Sequence, residues 1–377
     1  MRLLHTGDLH LDSAFCAYGQ NDAQKLRRDG RELLSRIFQC AKEEKCEMIL
    51  FAGDIFDSKT VTPETGELFC SLVEKCGVPV VVSPGNHDSY SQSSFYAKVS
   101  KRLGEKLVLF TSSELQIFDF DELRVSVFGY AFTSPILAQS PLLEAEVPND
   151  NGYLRIFCGH ADISSPISRY APITLSELGK FGFSYCALGH IHNRNDREDI
   201  AGRVRYCGFA QGRGFDELGD GGVWIVNVDR DICECERKIL SNSAFHILNI
   251  EILSTDDAHS VKDKVKTLIK EQSYSGGTRL RLVVSGVADT GTIEALDSSL
   301  DEIRAATELE YIELVDDTLP LLDGEYLMKD TTLRGELYRT LLPKLSSSDP
   351  QEKRRAVLAL RIGIAAIDGR EITNTLN

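Results

Sequence analysis

The chain has 377 residues and a formal net charge of −15, with 42% apolar and 26% charged residues. That length exceeds one typical small domain and predicts two or three, and the composition is that of a globular protein. No apolar run reaches the length of a membrane span, and Met1-Arg2-Leu3-Leu4-His5-Thr6-Gly7-Asp8 turns polar too early for a signal peptide, so the expected location is the cytoplasm. The acidic balance argues against a protein that coats nucleic acid by bulk electrostatics, though not against a nuclease whose metal ions supply local positive charge. Ten cysteines are scattered without a Cys-x-x-Cys pair, which predicts reduced thiols. Cys233-x-Cys235 is the one close pair; a soft metal fits such a pair, but solvated strand positions are the expectation.

In chain order, Met1 to Thr6 reads as a strand ending at Asp8. Leu26, Leu33, Leu34, Ile37, Phe38 and Ala41 then recur at helical spacing. Met48-Ile49-Leu50-Phe51 is a short apolar run leading into Gly53-Asp54, as a buried parallel strand would. Thr62-Pro63 starts a helix with a cap and an N1 proline, closing at Cys76-Gly77. Pro79 to Ser83 is the third strand and runs into Gly85-Asn86-His87-Asp88. Alternating strands and helices with a polar cluster after each strand predict βαβ units and a parallel sheet. After a helix near Ser91 to Leu103, short strands follow at Leu107–Phe110, Gln116–Phe120 and Val125–Tyr130, then a long loop from Ala131 to Gly152. Further strands are expected at Leu154–Cys158, Tyr185–Leu188, Arg203–Tyr206, Gly222–Val228 and Cys233–Ile239. Two sheets packed face to face with helices outside are the expected arrangement. Beyond a linker at Leu240–Ala244 the pattern restarts: strand Phe245–Ile252, helix Asp256–Gln272, strand Arg279–Ser285, helix Thr292–Ala306 and strand Leu309–Val315. Pro320 to Gly324 reads as a break. Two helices follow, Tyr326–Leu342 and Pro350–Ile367, and their leucines, with Val357 and Ile364, exceed what two short helices hide by themselves.

The chemistry lies in the strand-end clusters. Asp8, His10, Asp54, Asn86, His160, His190 and His192 are metal-ligand types, each placed where an open α/β sheet puts its functional groups. Residues two apart on a strand point the same way, so Asp8 and His10 share one site if the strand continues that far, and His190 and His192 do likewise. Seven such ligands suit two ions sharing a carboxylate, about 3.5–4 Å apart. The nitrogen–oxygen donor set fits Mn²⁺, Fe²⁺ or Zn²⁺ better than Ca²⁺ or Mg²⁺. His87 is placed to meet a phosphate oxygen or the leaving group, with Asp88 orienting its ring. His5 reads as a buried, hydrogen-bonded residue.

Asp-x-His, Gly-Asp-x-x-Asp, Gly-Asn-His-Asp, Gly-His and Gly-His-x-His, in this order, resemble the calcineurin-like metallophosphoesterase superfamily. His5-Thr6-Gly7-Asp8-Leu9-His10-Leu11-Asp12 and Gly53-Asp54-Ile55-Phe56-Asp57 are similar to the SbcD-type DNA repair exonucleases. Gly208-Phe209-Ala210-Gln211-Gly212-Arg213 with Glu217-x-Gly219 resembles the YhaO-like bacterial group among them. Cys207 departs from the proline that often precedes this segment. The resemblance covers about residues 1–240. It implies an α/β fold, a four-layer α/β/β/α sandwich with a small α/β cap domain and a helical C-terminal tail. The domains would be a nuclease domain at 1–240, a βαβαβ cap at 245–318 and a partner-binding tail at 319–377. It further implies two divalent ions, typically Mn²⁺. Asp8, His10 and His192 would hold one, Asn86, His160 and His190 the other, Asp54 would bridge, and His87 would face the phosphate.

The function expected is a Mn²⁺-dependent 3′–5′ DNA exonuclease, with endonuclease action also open. Alternatives are a phosphodiesterase or phosphatase for small phosphate esters, or a regulatory subunit of an ATPase complex. Arg194, Arg197, Arg203, Arg205 and Arg213 flank the last ligand motif as candidate phosphate contacts. DNA and an SbcC-like coiled-coil ATPase are the expected partners, with a homodimer left open and no membrane.

Overall fold

The computed structural model describes residues 1–58, 61–192, 202–272, 274, 277–320, 324–367 and 369. The chain divides into two compact units, residues 1–244 and 245–377. In the first, apolar strands alternate with amphipathic helices: β1 (Arg2–Thr6), α1 (Gln20–Glu43), β2 (Met48–Phe51), α2 (Pro63–Cys76), β3 (Val80–Val82), α3 (Phe95–Leu103) and β4 (Leu107–Leu109). These four strands pair in parallel. The sheet is extended past β1 by two late strands, β10 (Gly222–Val228) and β11 (Cys233–Ile239), both antiparallel to their neighbours. The second sheet has the order β5-β6-β7-β8-β9, from Gln116–Phe120, Val125–Gly129, Leu154–His160, Tyr185–Gly189 and Val204–Tyr206.

The side chains show why two sheets form one sandwich. Leu3, Met48, Leu50, Val81 and Val226 of the first sheet pack in one cluster with Val125, Val127, Ile156, Tyr185 and Ala187 of the second. The opposite face of the first sheet, through Leu4, Ile49 and Phe51, is covered by Leu33, Leu34, Ile37 and Phe69 of α1 and α2. Phe128, Phe157 and Leu188 on the outer face of the second sheet are covered by Leu178 and Phe181 of a further helix, α4 (Leu175–Phe181). Strands buried on both faces are continuously apolar, and four α/β/β/α layers result. Helix α4 falls between the strands expected at Leu154–Cys158 and Tyr185–Leu188, where the sequence reading places no helix. Its signal is a capping box, with Thr174 accepting from Glu177 N and the Glu177 carboxylate returning to Thr174 N.

The second unit contains β12 (Ala244–Ile252), α5 (Ala258–Glu271), β13 (Thr278–Ala288), α6 (Thr290–Ser298), α7 (Leu300–Thr307) and β14 (Tyr311–Pro320), with the three strands in one sheet. Two sequence expectations are corrected here. The helix expected from Thr292 to Ala306 is split at Ser299. The Ser298 and Ser299 hydroxyls bond the carbonyls of Glu294 and Leu296, drawing the backbone out of its helical path. Pro320 is the last residue of β14, an edge strand that tolerates it, and 321–323, inside the expected break, lie outside the described residues. The helix expected from Tyr326 to Leu342 is likewise divided, into α8 (Gly324–Lys329) and α9 (Leu333–Leu345), and α10 (Pro350–Ile367) follows. Ala356, Leu360 and Ile364 of α10 are buried, and Arg361 is paired with Asp317 of β14, while Tyr326, Met328 and Leu333 remain exposed. The apolar surface of these helices is thus hidden only in part. Among the described residues no helix is long and apolar enough to cross a membrane.

One polar residue joins the two sheets through their common core. His5 on β1 is fully buried; its ring reaches Leu188 O at 3.2 Å and the Tyr185 hydroxyl at 2.8 Å, both on β8. A carbonyl only accepts, so Nε2–H donates to Leu188 and Nδ1 accepts from Tyr185. Protonation of Nδ1 would remove that acceptor, and burial holds the imidazole down at about 3. The unfolded chain binds this proton below about pH 6.5 and the native chain does not. The contribution of His5 to stability is therefore complete above that pH and lost as the pH falls toward 3, by at most about 1.4 kcal/mol per pH unit. In thermal melts from pH 7.5 to 4, His5→Gln should lose less stability than the wild type. Parallel curves would remove His5 from the acid response.

Candidate metal centre

Strand register brings the polar loops to one edge. Thr6 lies opposite Phe51 and Phe51 opposite Val82, so the loops carrying Asp8, Asp54 and Asn86 leave the first sheet at one level. In the second sheet His160 lies opposite Gly189, which sets His160 beside His190. The expectation that Asp8 and His10 share a continuing strand is corrected. β1 stops at Thr6, and Asp8, His10 and Asp54 have left-handed backbones with φ of +50°, +44° and +48°. Such conformations cost on the order of 1–3 kcal/mol each and persist where the surroundings fix them. Here the two loops fix each other: Asp8 N–H donates to Gly53 O and His10 N–H to Asp54 O, both at 3.0 Å. β8 likewise stops at Gly189, and His190 has φ +104°. The loops approach so closely that a Cβ on Gly85 would lie 2.2 Å from Asp54 Oδ1, and one on Gly189 1.9 Å from Ala52 O.

Three overlapping groups result, Asp8–His10–His192, His10–Asp54–His87 and Asp8–Asp54–His160. Within each, one ligand-type atom per residue lies within 4.8 Å of the others. Asn86 joins through its Oδ1, 2.9 Å from His160 Nε2. The His190 ring stands 5.1 Å from the His160 ring and 4.8 Å from that of Tyr170, outside these three groups. Its backbone N–H donates to both Asp8 oxygens, at 3.1 and 2.9 Å.

The hydrogen-bond chemistry tests whether a cation fits. His160 Nδ1 lies 3.0 Å from Ala52 O, which only accepts, so the ring proton sits there. Nε2 then turns a lone pair toward Asn86 Oδ1 at 2.9 Å and Asp54 Oδ2 at 3.3 Å. His10 Nδ1 donates to Asp57 at 3.1 Å and His192 Nδ1 to Glu217 at 2.6 Å. Their Nε2 atoms consequently oppose each other, lone pair to lone pair, at 3.2 Å. Acceptors facing acceptors at these distances call for positive charge between them, so the residues present fit metal ions. Protonation follows the same logic. Burial disfavours a charged His160, yet Asp54 and Asp8 outweigh it and push the ring up to about 9. Burial opposes ionisation of Asp54, but His160, His10 and His87 hold its carboxyl well below the usual range. His190 is pushed down to about 4, by burial first and then by His160, which together outweigh Asp8, Asp162 and Asp54.

Two groups escaped the sequence reading as site residues, although both stand in the motifs: Asp57 and Glu217. Each fixes the tautomer of a histidine whose other nitrogen faces the cluster, the usual arrangement behind a metal-binding imidazole. Their signal was a carboxylate three residues after Asp54 and another in Glu217-x-Gly219. Burial works against ionised Glu217, but His192 and Arg213 hold it down at about 2.

His87 is half exposed, its Nδ1 3.6 Å from Asp57 Oδ1 and its backbone N–H on Asp54 Oδ1 at 2.9 Å. The role expected for Asp88 is corrected. It is buried, and its carboxylate accepts from Phe56 N, Gly85 N and the Tyr96 hydroxyl. It pins the loop, and Asp57 is the carboxylate beside His87. Burial, with Asp54 nearby, pushes Asp88 up to about 6. The arginines expected to contact phosphate take different places. Arg203 donates to Ser184 O and Arg230 O, at the start of β8 and thus the opposite end of that strand from His190. Arg205 lies over the Trp224 ring at 5.0 Å. Arg213 does reach the cluster, but its guanidinium is engaged by Glu217 at 2.6 Å. Arg194 and Arg197 lie outside the described residues. Cys207, the departure from proline, touches the cluster directly: its thiol donates to Asp8 Oδ2 at 3.2 Å.

Known proteins share much of this chain. Over 327 residues it is 25% identical to the uncharacterized metallophosphoesterase YhaO of Bacillus subtilis, spanning 83% of this chain and 78% of that protein. It is 20% identical over 309 residues to a component of the nuclease SbcCD of Staphylococcus epidermidis, spanning 73% and 78%. Against the DNA double-strand break repair protein Mre11 of Sulfurisphaera tokodaii, identity is 25% over 213 residues, spanning 54% and 52%. The family model for calcineurin-like phosphoesterases matches residues 1–194, which carry all seven strand-end ligand types. The chain belongs to the calcineurin-like phosphoesterases, a family of metal-dependent phosphoester hydrolases.

Proposed function

We propose that the chain is a two-metal phosphodiesterase acting at DNA ends, a Mn²⁺-dependent 3′–5′ exonuclease with endonuclease cleavage open to the same site. The observation that carries the two-metal reading is the convergence of acceptor atoms on one another at the sheet edge. Asp8, His10 and His192 would hold one ion, Asn86, His160 and His190 the other, and Asp54 would bridge them. DNA as substrate is supported by the relatives named as nuclease and double-strand break repair proteins. When bound, the ions supply Lewis-acid charge that activates water and neutralises the attacked phosphoryl group. The chain's own residues do the rest. Asp57 and Glu217 orient imidazoles, Asp88 holds the His87 loop through Phe56 and Tyr96, and half-exposed His87 gives a proton to the leaving oxygen. An SbcC-like ATPase would dock on residues 319–377, where Tyr326, Met328 and Leu333 are exposed. The net charge of −15 favours a second reading, small phosphodiesters. Incubation with Mn²⁺ and linear duplex DNA, beside bis-nitrophenyl phosphate, separates them: nucleotide release from DNA ends supports the nuclease, and cleavage of the nitrophenyl ester alone supports the other.

Asp54→Ala should leave the fold intact and retain neither ion; stoichiometric metal by elemental analysis would exclude the bridge. His87→Ala should keep both ions and the melting temperature but lower kcat by about a hundredfold or more, the usual contribution of a positioned acid. Near-native kcat in a metal-replete preparation would take His87 out of the mechanism. Deletion of residues 319–377 should abolish co-purification with the ATPase, and undiminished recovery would refute docking there.

A further inference from the structure

Cys233 and Cys235 lie on β11, the last strand of its sheet. They are only partly solvated, less than the sequence suggests. Both thiols turn inward against the core between the sheets and are partly buried. Their Sγ atoms are 3.9 Å apart, and Cys233 Sγ is 3.8 Å from Gly202 O. Cys233 is paired with Val228, and Asn227 with Arg2 at the start of β1. The pair therefore sits at the opposite end of the sheet from the carboxylate–imidazole cluster.

The separation selects a chemistry. Residues two apart on an extended strand have Cα atoms about 6.6–6.8 Å apart, at the upper limit of about 6.8 Å for a disulfide. Closing the sulfurs to about 2.05 Å would shorten β11 against its pairing with Val226 and Val228. Sharing one ion needs no such movement. Two thiolates about 2.3 Å from a tetrahedral centre stand about 3.8 Å from each other, close to the separation found. Thiolates select soft metals over those suited to oxygen and imidazole donors.

We infer that Cys233 and Cys235 form a two-thiolate site for a single thiophilic d¹⁰ ion such as Zn²⁺ or Cd²⁺, independent of the phosphoesterase centre. On binding, two S–H bonds give way to two sulfur–metal bonds, both protons pass to solvent, and no electron is transferred. The remaining coordination positions are filled by water. With only two protein ligands the ion is exchangeable.

The test uses the full chain, reduced and saturated with Mn²⁺, titrated with Cd²⁺ while the thiolate-to-cadmium charge-transfer absorption is followed. Nitrogen and oxygen ligands give no such band, and Cys207→Ala removes the thiol that touches the cluster at the other end. One equivalent should saturate the band in the wild type and in Cys207→Ala. The Cys233→Ser/Cys235→Ser double variant should lose it, and each single variant should bind at least tenfold more weakly. Peptide mass spectrometry of the wild type, which needs no variant to fold, should show Cd²⁺ protecting both cysteines from alkylation. An unaltered band in the double variant, no band in the wild type, unprotected cysteines, or a Cys233–Cys235 disulfide without cadmium uptake would each overturn the site.

Discussion

The first unit is arranged around a set of lone pairs that point at one another. His10 and His192 oppose their Nε2 atoms at 3.2 Å, and His160 turns its own toward Asn86 and Asp54. Each orientation is imposed from behind, by Asp57, Glu217 and Ala52 O respectively. The rings cannot relieve the repulsion by rotating, because that would forfeit bonds to a carboxylate or a buried carbonyl. Positive charge is the remaining remedy, and the same field pushes His160 up to about 9 and holds the Asp54 carboxyl well below the usual range. The strained loops belong to the same arrangement. Left-handed Asp8, His10 and Asp54 hold donors and acceptors in a geometry that relaxed strand ends would not reach.

Much of this was legible in the sequence because burial leaves a strong imprint. Met48 to Phe51 and Val80 to Val82 are buried on both faces, so they read as unbroken apolar runs, and the polar residues after them stand out. The α/β/β/α layering follows from that alternation with little ambiguity. What sequence could not deliver was direction at close range. Asp88 follows His87, yet the turn opened at Gly85 sends its carboxylate inward to Phe56 and Tyr96. Asp57, thirty residues earlier, takes the place beside the imidazole. Arg203 and Arg205 are near the last histidines in number, but β9 runs parallel to β8, which returns Arg203 to the far end of the sheet. Helix α4 and the split at Ser299 were missed for a local reason. Both depend on serine, threonine and glutamate side chains bonding the backbone, a signal carried by a few atoms and not by periodicity.

Cys207 shows how a departure from a family pattern can be neutral in fold and still touch chemistry. Its backbone N–H bonds Leu188 O at 2.7 Å, a donor that proline lacks, and its thiol adds a second donor to a carboxylate whose two oxygens already share the His190 N–H.

The pairing of β1 with β10 has a consequence for biogenesis. β1 is an inner strand whose partners are β2, some forty residues away, and β10, more than two hundred residues away, with the N-terminal amine itself bonded to Val228 O. During synthesis the first sheet cannot close until the ribosome has released residue 228, so the nascent chain must carry an unpaired β1 edge past the whole of the second sheet. Contacts so distant slow folding and leave strand edges open to wrong partners. The segment that matches the family, residues 1–194, for the same reason does not contain the whole of the first sheet. A fragment ending there lacks β9, β10 and β11, exposes the apolar flank of β1, and has no Glu217 to turn His192 toward the metal centre.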